Sequence, residues 1–402
     1  MLDESYDLAI VTYELVALRT MPFWKDVAER VINLVERATI RVVMPQDDYT
    51  CCEILDSFVI RSGAQFVFTP LTRDLNLLYP KSLKAGVQFF EAFTGYWESS
   101  TTLPYMAFQV PFEQRTIDLG QRVRHLPPQF GADAQRKGEL ATKFADLAMI
   151  ENFVCDVSTK DSDVLVGDAW WKFLGNSRFT VGRLGGASIA DPRGRLAAKV
   201  QQLQLRNPKI TLEELAKRLE TNSFPHGDFS AISPRLFECA AMGVCQILEE
   251  ARYFDEFKPW IHYIPISENL TNLKEVFEVM RDWERCQEIV HASQESLLQS
   301  GRYSYSTFVR RLVKSTTGFE IDSDIASRVI DADERLFGDL DAAQIAEVKS
   351  LVRVKIIRNS KLDSKSENQY LSKWFNAFKK KDLIVESLTM PWSSAITHLA
   401  HS

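Results

Sequence analysis

Several familiar signatures are missing from this chain of 402 residues. No apolar run reaches the roughly 18 residues that a membrane-spanning helix needs. The start has neither the charged n-region nor the apolar h-region of a secretory leader. There are six cysteines, Cys51, Cys52, Cys155, Cys239, Cys245 and Cys286, with no C-x-x-C pair among them. Thinly spread cysteines in apolar stretches behave as small hydrophobes, which predicts reduced structural thiols in a soluble cytoplasmic protein. No His, Cys and Asp set has metal-ligand spacing, so no metal is expected. Neither G-x-G-x-x-G nor a P-loop occurs, and no short repeat recurs at a fixed period. The net charge of −6 lacks the global basic signature of a nucleic-acid binder. Histidine is scarce too: His125, His226, His262, His291, His398 and His401 are the whole set, and none lies in the first hundred or so residues.

What is present is ordinary globular composition, 45% hydrophobic and 25% charged, at a length suited to two domains and an extension. Strand-like and helix-like stretches alternate. Tyr6–Tyr13 (YDLAIVTY), Ile40–Met44 and Ala64–Thr69 read as strands, with helical spacing over Phe23–Leu34 and Cys51–Arg61 between them. A second series runs through a strand at Thr116–Leu119, a helix at Gln135–Leu147, a strand at Phe153–Val157 and a helix at Asp168–Leu174. Strands at Arg178–Gly182 and Ile261–Ile266 and a helix from Asn272 to Trp283 follow. This rhythm predicts two parallel, Rossmann-like α/β domains with a central cleft, over residues 1–113 and 114–303. A helical C-terminal extension is expected over 304–402.

Residues 231–248, AISPRLFECAAMGVCQIL, hold the clearest local grammar. Ser233 suits an N-cap, Pro234 the first helical turn and Gly243 the position after the last. Val244–Leu248 then has the composition of a buried strand. Arg235 and Glu238 share one helix face, and a carboxylate held there is a structural anchor or a ligand hook.

The stretch Phe229–Leu312 resembles the nucleotide-sugar half of GT-B glycosyltransferases, especially bacterial family-1-like enzymes of polysaccharide gene clusters. The resemblance rests on Phe-Glu-x-x-Ala-x-Gly (Phe237 to Gly243), the aromatic loop with Tyr253, Phe254 and Phe257, the strand HYIPI, and Tyr303 and Tyr305 before Phe308. Upstream, PQDDY, FTGYW, IDLGQRVRHLPPQFG, CDVST and the GDAWWKFLGNSRFTVGRLGGASIADPRG block fit the same group, for coverage of roughly residues 6–312. It implies a nucleotide diphosphate-sugar donor, a saccharide or lipid-linked acceptor, and no cofactor or metal. It also implies that Glu238 holds the ribose hydroxyls, that Gly243 lets backbone approach the nucleotide, and that Arg122, Arg124 and Lys137 neutralise the diphosphate. Two departures stand out. An upstream glutamate common in retaining members is replaced by Ser230, with Asp228 out of register. The chain also opens directly on YDLAIVTY, where the resembled enzymes have an earlier strand, so a truncated first sheet is expected.

Each candidate has a plainer reading. Glu238 can pair with Arg235. Arg122, Arg124 and Lys137, after Gly120, can form a solvated basic edge. Gly185 and Gly186 can bring backbone near a phosphate or merely turn the chain. Gln46, Asp47, Asp48 and Tyr49 follow a first-domain strand; they can face an acceptor, with Asp48 as base, or start a helix. His226 can touch the sugar phosphate or lie exposed. The lack of histidine in the first domain leans towards retention, in which the leaving phosphate takes the acceptor proton. A tail helix over Tyr370–Leu388 with Lys379, Lys380 and Lys381 can lie on an anionic membrane or show one solvated face. The alternatives to a transferase are a non-catalytic homologue that binds nucleotide or a partner, and a nucleotide-sugar epimerase or hydrolase.

Overall fold

The computed structural model describes residues 5–97 and 105–320. The described residues through Gly318 form one compact unit. The expected tail helix and its lysines lie outside the described residues.

The first sheet contains β1 (Tyr6–Val11), β2 (Ala38–Val43), β3 (Phe66–Thr69) and β4 (Gln88–Glu91), parallel and paired in chain order. Helix α1 (Trp24–Val35) lies between β1 and β2 because its apolar residues recur at helical spacing. Trp24, Val27, Ala28, Val31, Ile32 and Val35 are all buried. Helix α2 (Cys52–Arg61) buries Leu55, Phe58 and Val59 in the same way. Gln88–Glu91 has no clear apolar run, and its identity as a strand comes from pairing with β3.

The second sheet contains β5 (Ile117–Arg122), β6 (Cys155–Ser158), β7 (Ser177–Gly182), β10 (Cys245–Glu249) and β11 (Ile264–Ile266). Their order is β11-β10-β7-β5-β6, all parallel. The chain leaves β5 towards β6, then returns across β5 to β7 and continues the other way. That reversal makes this half doubly wound, with its switch point between β5 and β7. Helices α3 (Ala132–Ile150), α4 (Asp168–Gly175), α7 (Arg235–Ala241), α8 (Leu273–Arg281) and α9 (Trp283–Gln294) belong to it. The two halves are Rossmann-like, as expected. The strand expected at Ile261–Ile266 is shorter, because Pro259 and Tyr263 bridge across a turn before it.

Between β7 and β10 lies a segment whose architecture the sequence pattern missed. Strands β8 (Gly185–Ile189) and β9 (His226–Ala231) pair antiparallel, enclosing α5 (Arg195–Arg206) and α6 (Leu212–Arg218). Thr211 and Glu214 form a reciprocal capping box at the start of α6. This ribbon packs into the first half: Ala187, Ala190 and Phe229 share a buried cluster with Val43, Leu55, Val67 and Tyr79. The Asp191 N–H donates to the Tyr49 carbonyl at 2.8 Å. Arg193 holds Glu53 with two hydrogen bonds, of 2.6 and 2.5 Å, and Arg73 pairs with Asp228.

Helix α10 (Tyr305–Thr317) also returns to the first half. The boundary expected at residue 304 placed it in the extension. Instead Phe308 and Leu312 pack with Val42, Phe68 and Ala92, and Phe308 stacks on Tyr96 with centroids 4.5 Å apart. Its apolar residues needed a partner, and the outer face of the first sheet supplied one.

A fully buried Phe229 at this junction makes a direct stability prediction. Phe229→Ala should cost about 3–5 kcal/mol in urea unfolding. Because the same cluster carries residues of both halves, the transition should shift as one step when followed by circular dichroism and by tryptophan fluorescence.

Candidate functional site

In open parallel sheets, ligands bind beyond the carboxyl ends of the strands at the switch point. Here that place lies between the ends of β5 and β7. Their paired register runs Ile117 to Ser177 and Leu119 to Phe179. One residue pair further on, the side chain of Gln121 takes over, its Nε2 donating to the Val181 carbonyl. The Gln121 Oε1 accepts from the Arg122 N–H at 3.0 Å and from Arg235 Nη1 at 2.5 Å. These partners fix the amide orientation, since oxygen must face the donors. Gln121 is buried, so it links β5, β7 and the start of α7 away from water.

Around it stand the charged groups. Arg235 lies over the Trp170 ring, with its Cζ 4.8 Å from the centroid. The Trp170 Nε1 donates to Glu238 Oε2 at 3.1 Å. Glu238 keeps a partly exposed surface. Burial nevertheless raises its carboxyl pKa, while Arg235, the Trp170 hydrogen bond and Lys137 pull it down. The Lys137 ammonium has no hydrogen-bond or ion-pair partner among the described residues. Its pKa is lowered to about 8 by burial and by the guanidiniums of Arg235 and Arg183, with Glu238 opposing. Arg183, just after β7, is held by Glu249 at 2.7 Å and by Asp133. Arg136 holds the other Glu249 oxygen at 2.9 Å. The result is a carboxylate and a cation that act on each other's charge without forming an ion pair. Such a pair can accept hydroxyl donors and attract an anionic group.

The other expected residues are placed less favourably for a ligand. Arg122 turns to β6, with Nη2 2.8 Å from Asp156 Oδ1 and Nη1 2.9 Å from the Asp156 carbonyl. Arg124 pairs with Asp161 at 3.0 Å. Gly120 allows close strand packing, because a Cβ there would run into Ser177 and Phe173. Gly185 and Gly186 sit inside β8. Gly186 has φ +114, and a Cβ on it would strike the Phe229 carbonyl, so the chain itself fills the space expected for a phosphate. Gly243 has the left-handed φ of +61 expected after a helix, but it precedes β10 and so lies at the opposite edge of the sheet. Gln109 and Arg115 occupy the space beside it, and Arg115 donates to the Met242 and Gly243 carbonyls. Ser233 Oγ accepts from the Arg235 N–H at 3.4 Å, a long contact, and Pro234 already has helical backbone. His226 is exposed and pairs with the Thr221 carbonyl at 3.0 Å.

The first-half loop is organised from within. Buried Arg19 donates to the carbonyls of Val16, Gln46, Asp47 and Thr50. Gln46 Nε2 reaches the Thr94 carbonyl at 3.5 Å. Tyr49 is buried, and its hydroxyl donates to Asp47 Oδ1 at 2.6 Å. Asp48 is fully buried, accepting from Thr69 Oγ1 and Tyr79 Oη at 2.5 Å each. It neither faces an acceptor nor caps α2, whose N-cap is Cys51. Trp170 and Gln121 are the residues that sequence reasoning missed. Trp170 lies in the quoted GDAWWKFLG block, where the doubled tryptophan is the available signal; nothing marks Gln121 apart from its place after a strand glycine.

Among the described residues no cluster of His, Cys, Asp and Glu could hold a metal, and no helix is long and apolar enough to cross a membrane. No protein-family model matches the chain, and no curated protein matches it. Among solved structures it is similar to a glycosyltransferase from Rickettsia africae ESF-5, with 11% identity over 78% of this chain and 98% of that one. The TM-score is 0.31.

Two predictions follow from the buried charges. The Lys137 pKa falls from 10.5 unfolded to about 8 folded, so the unfolded chain binds more protons between those values. Stability should therefore rise with pH across that window. Lys137→Met should remove the rise and gain up to about 3 kcal/mol below pH 8, measured by urea unfolding at several pH values. Asp48→Ala should lose about 1–3 kcal/mol for each of the Thr69 and Tyr79 hydroxyls left without an acceptor. Asp48→Asn, which keeps an acceptor, should lose less.

Proposed function

We propose that the chain is a glycosyltransferase using a nucleotide diphosphate-sugar, with its donor at the carboxyl edge of the second sheet. The observation that carries this reading is Glu238, bonded to Trp170 beside Arg235 next to the switch point, with Lys137 near enough to act on its charge yet in no ion pair. The carboxylate suits two vicinal ribose hydroxyls, each donating a short charge-assisted hydrogen bond. The ammonium suits the diphosphate, whose negative charge grows as the sugar–phosphate bond breaks. Arg122 and Arg124 have carboxylate partners of their own, so the diphosphate role narrows to Lys137, with Arg235 beside it. The sequence resemblance supplies the sugar; the site geometry supports the nucleotide.

Transfer would break the bond between the anomeric carbon and the leaving phosphate oxygen and form one to an acceptor hydroxyl oxygen. The acceptor proton would pass to the leaving phosphate. Retention by this route is favoured because Asp48 is sealed from solvent and Asp47 is tied to Tyr49, leaving neither well placed as a base. The same facts favour a second reading, a homologue that binds nucleotide without turning it over. A saccharide or lipid-linked acceptor remains part of the proposal, with the first-half loops as its surface.

A thermal-shift panel of nucleoside diphosphates and nucleotide sugars tests the donor site. UDP or GDP should raise the melting temperature, and Glu238→Ala or Lys137→Ala should weaken binding about tenfold or more. Indifference to every nucleotide would sink the proposal. A donor that binds but is neither transferred to acceptor extracts nor converted would establish the non-catalytic reading.

A further inference from the structure

Glu238 sits where its charge is least comfortable. It keeps a partly exposed surface, yet its neighbours Phe237, Cys239 and Ala240 of α7 are buried on either side. Three groups face it from three elements: Arg235 from α7, Trp170 from α4 and Lys137 from α3. Of these, Trp170 makes a defined hydrogen bond to one carboxylate oxygen, at 3.1 Å. The same ring lies beneath the Arg235 guanidinium, which is fixed on its other side by Gln121. Trp170 is itself held from behind, stacked with Phe173 at 5.9 Å. Its neighbour Trp171 stacks on Tyr105 at 4.9 Å and 11°, anchoring the start of α4. One indole thus joins the carboxylate to the cation above it.

We propose that Trp170 is a positioning residue whose indole N–H holds the Glu238 carboxylate in one orientation, leaving Oε1 to meet the ligand. The proposal rests on the reading of Glu238 as a ligand-binding carboxylate. An N–H donor favours the charged form of a carboxylate in a poorly solvated place, offsetting the burial that opposes it. With Oε2 occupied, rotation of the carboxylate is hindered, so less freedom is lost when a hydroxyl pair binds. Arg235 and Lys137 supply charge from the side but form no hydrogen bond to Glu238 that would orient it. Arg183, held by Glu249, acts on Lys137 but is not among the groups that act on Glu238.

The test separates this inference from the donor-site reading. In a nitrogen-15 spectrum, the Trp170 indole N–H is identified by its loss in Trp170→Phe or, if that variant fails to fold, by its perturbation in Glu238→Gln. In the wild type its shift should follow a titration above the usual glutamate range, and in Glu238→Gln that titration should vanish. In parallel, UDP and GDP affinity is measured from pH 5 to 8. Trp170→Phe, which keeps an aromatic ring under Arg235, should bind about threefold to tenfold more weakly at pH 7. Its deficit should widen as pH falls, because Glu238 then takes up a proton more readily. An indole signal indifferent to both pH and Glu238→Gln would overturn the positioning role. So would a Trp170→Phe profile parallel to that of the wild type. Wild-type protein that ignores both nucleotides while the indole titrates would overturn the donor-site reading and the ligand-facing part of the proposal, leaving only the Trp170–Glu238 bond.

Discussion

The side chain of Gln121 does what the backbone ladder stops doing. Strands β5 and β7 are paired at their amino ends, then give way to the crevice that the reversal of strand order opens. A buried amide fills that opening, donating to one strand and accepting from the other strand's own N–H and from Arg235. Removing the amide would take a hydrogen-bond partner from the buried Val181 carbonyl and from the Arg235 guanidinium, a penalty in a poorly solvated place. Arg235 is tied to this link, and the Trp170 ring that bonds Glu238 lies beneath Arg235. The charged crevice therefore depends on a neutral residue that carries no chemistry of its own.

A second constraint ties the halves together. The β8–β9 ribbon is inserted into the chain of the second sheet but buries Phe229 among side chains of the first. Helix α10 does the same from the far end, placing Phe308 and Leu312 on the first sheet's other apolar face. Both faces of that sheet are thus completed by segments remote in sequence, consistent with one compact unit through Gly318. The carboxyl edge of the second sheet rests on a frame whose halves share buried packing.

Much of this frame was legible beforehand. Helices such as Trp24–Val35 and strands such as Ser177–Gly182 announce themselves because apolar residues recur with the period of the element they form. The ribbon and β4 did not, because Gly185-Gly186-Ala187 and Gln88–Glu91 carry weak patterns and become strands through their partners. Within the site, the sequence reading names Glu238 and Lys137 among its candidates, and in the fold each acts on the other's charge. Arg122, Gly186 and Gly243 shared the same local plausibility, yet each is occupied by the chain itself. Residue type and spacing cannot tell a cation aimed at a crevice from one paired with Asp156.

The sequence by itself determined the alternation of strands and helices, the helix–glycine–strand unit from Arg235 to Glu249, and the placing of an acid on that helix. Those features depend on contacts within a few residues, where capping, periodicity and backbone preference act. Tertiary structure alone decided which strands lie beside β5, that Asp48 is sealed rather than offered, and that Trp170 reaches Glu238 while Lys137 stays unengaged. Each of those depends on groups dozens of residues apart, and only the folded chain sets the burial and the partners that give a charge its role.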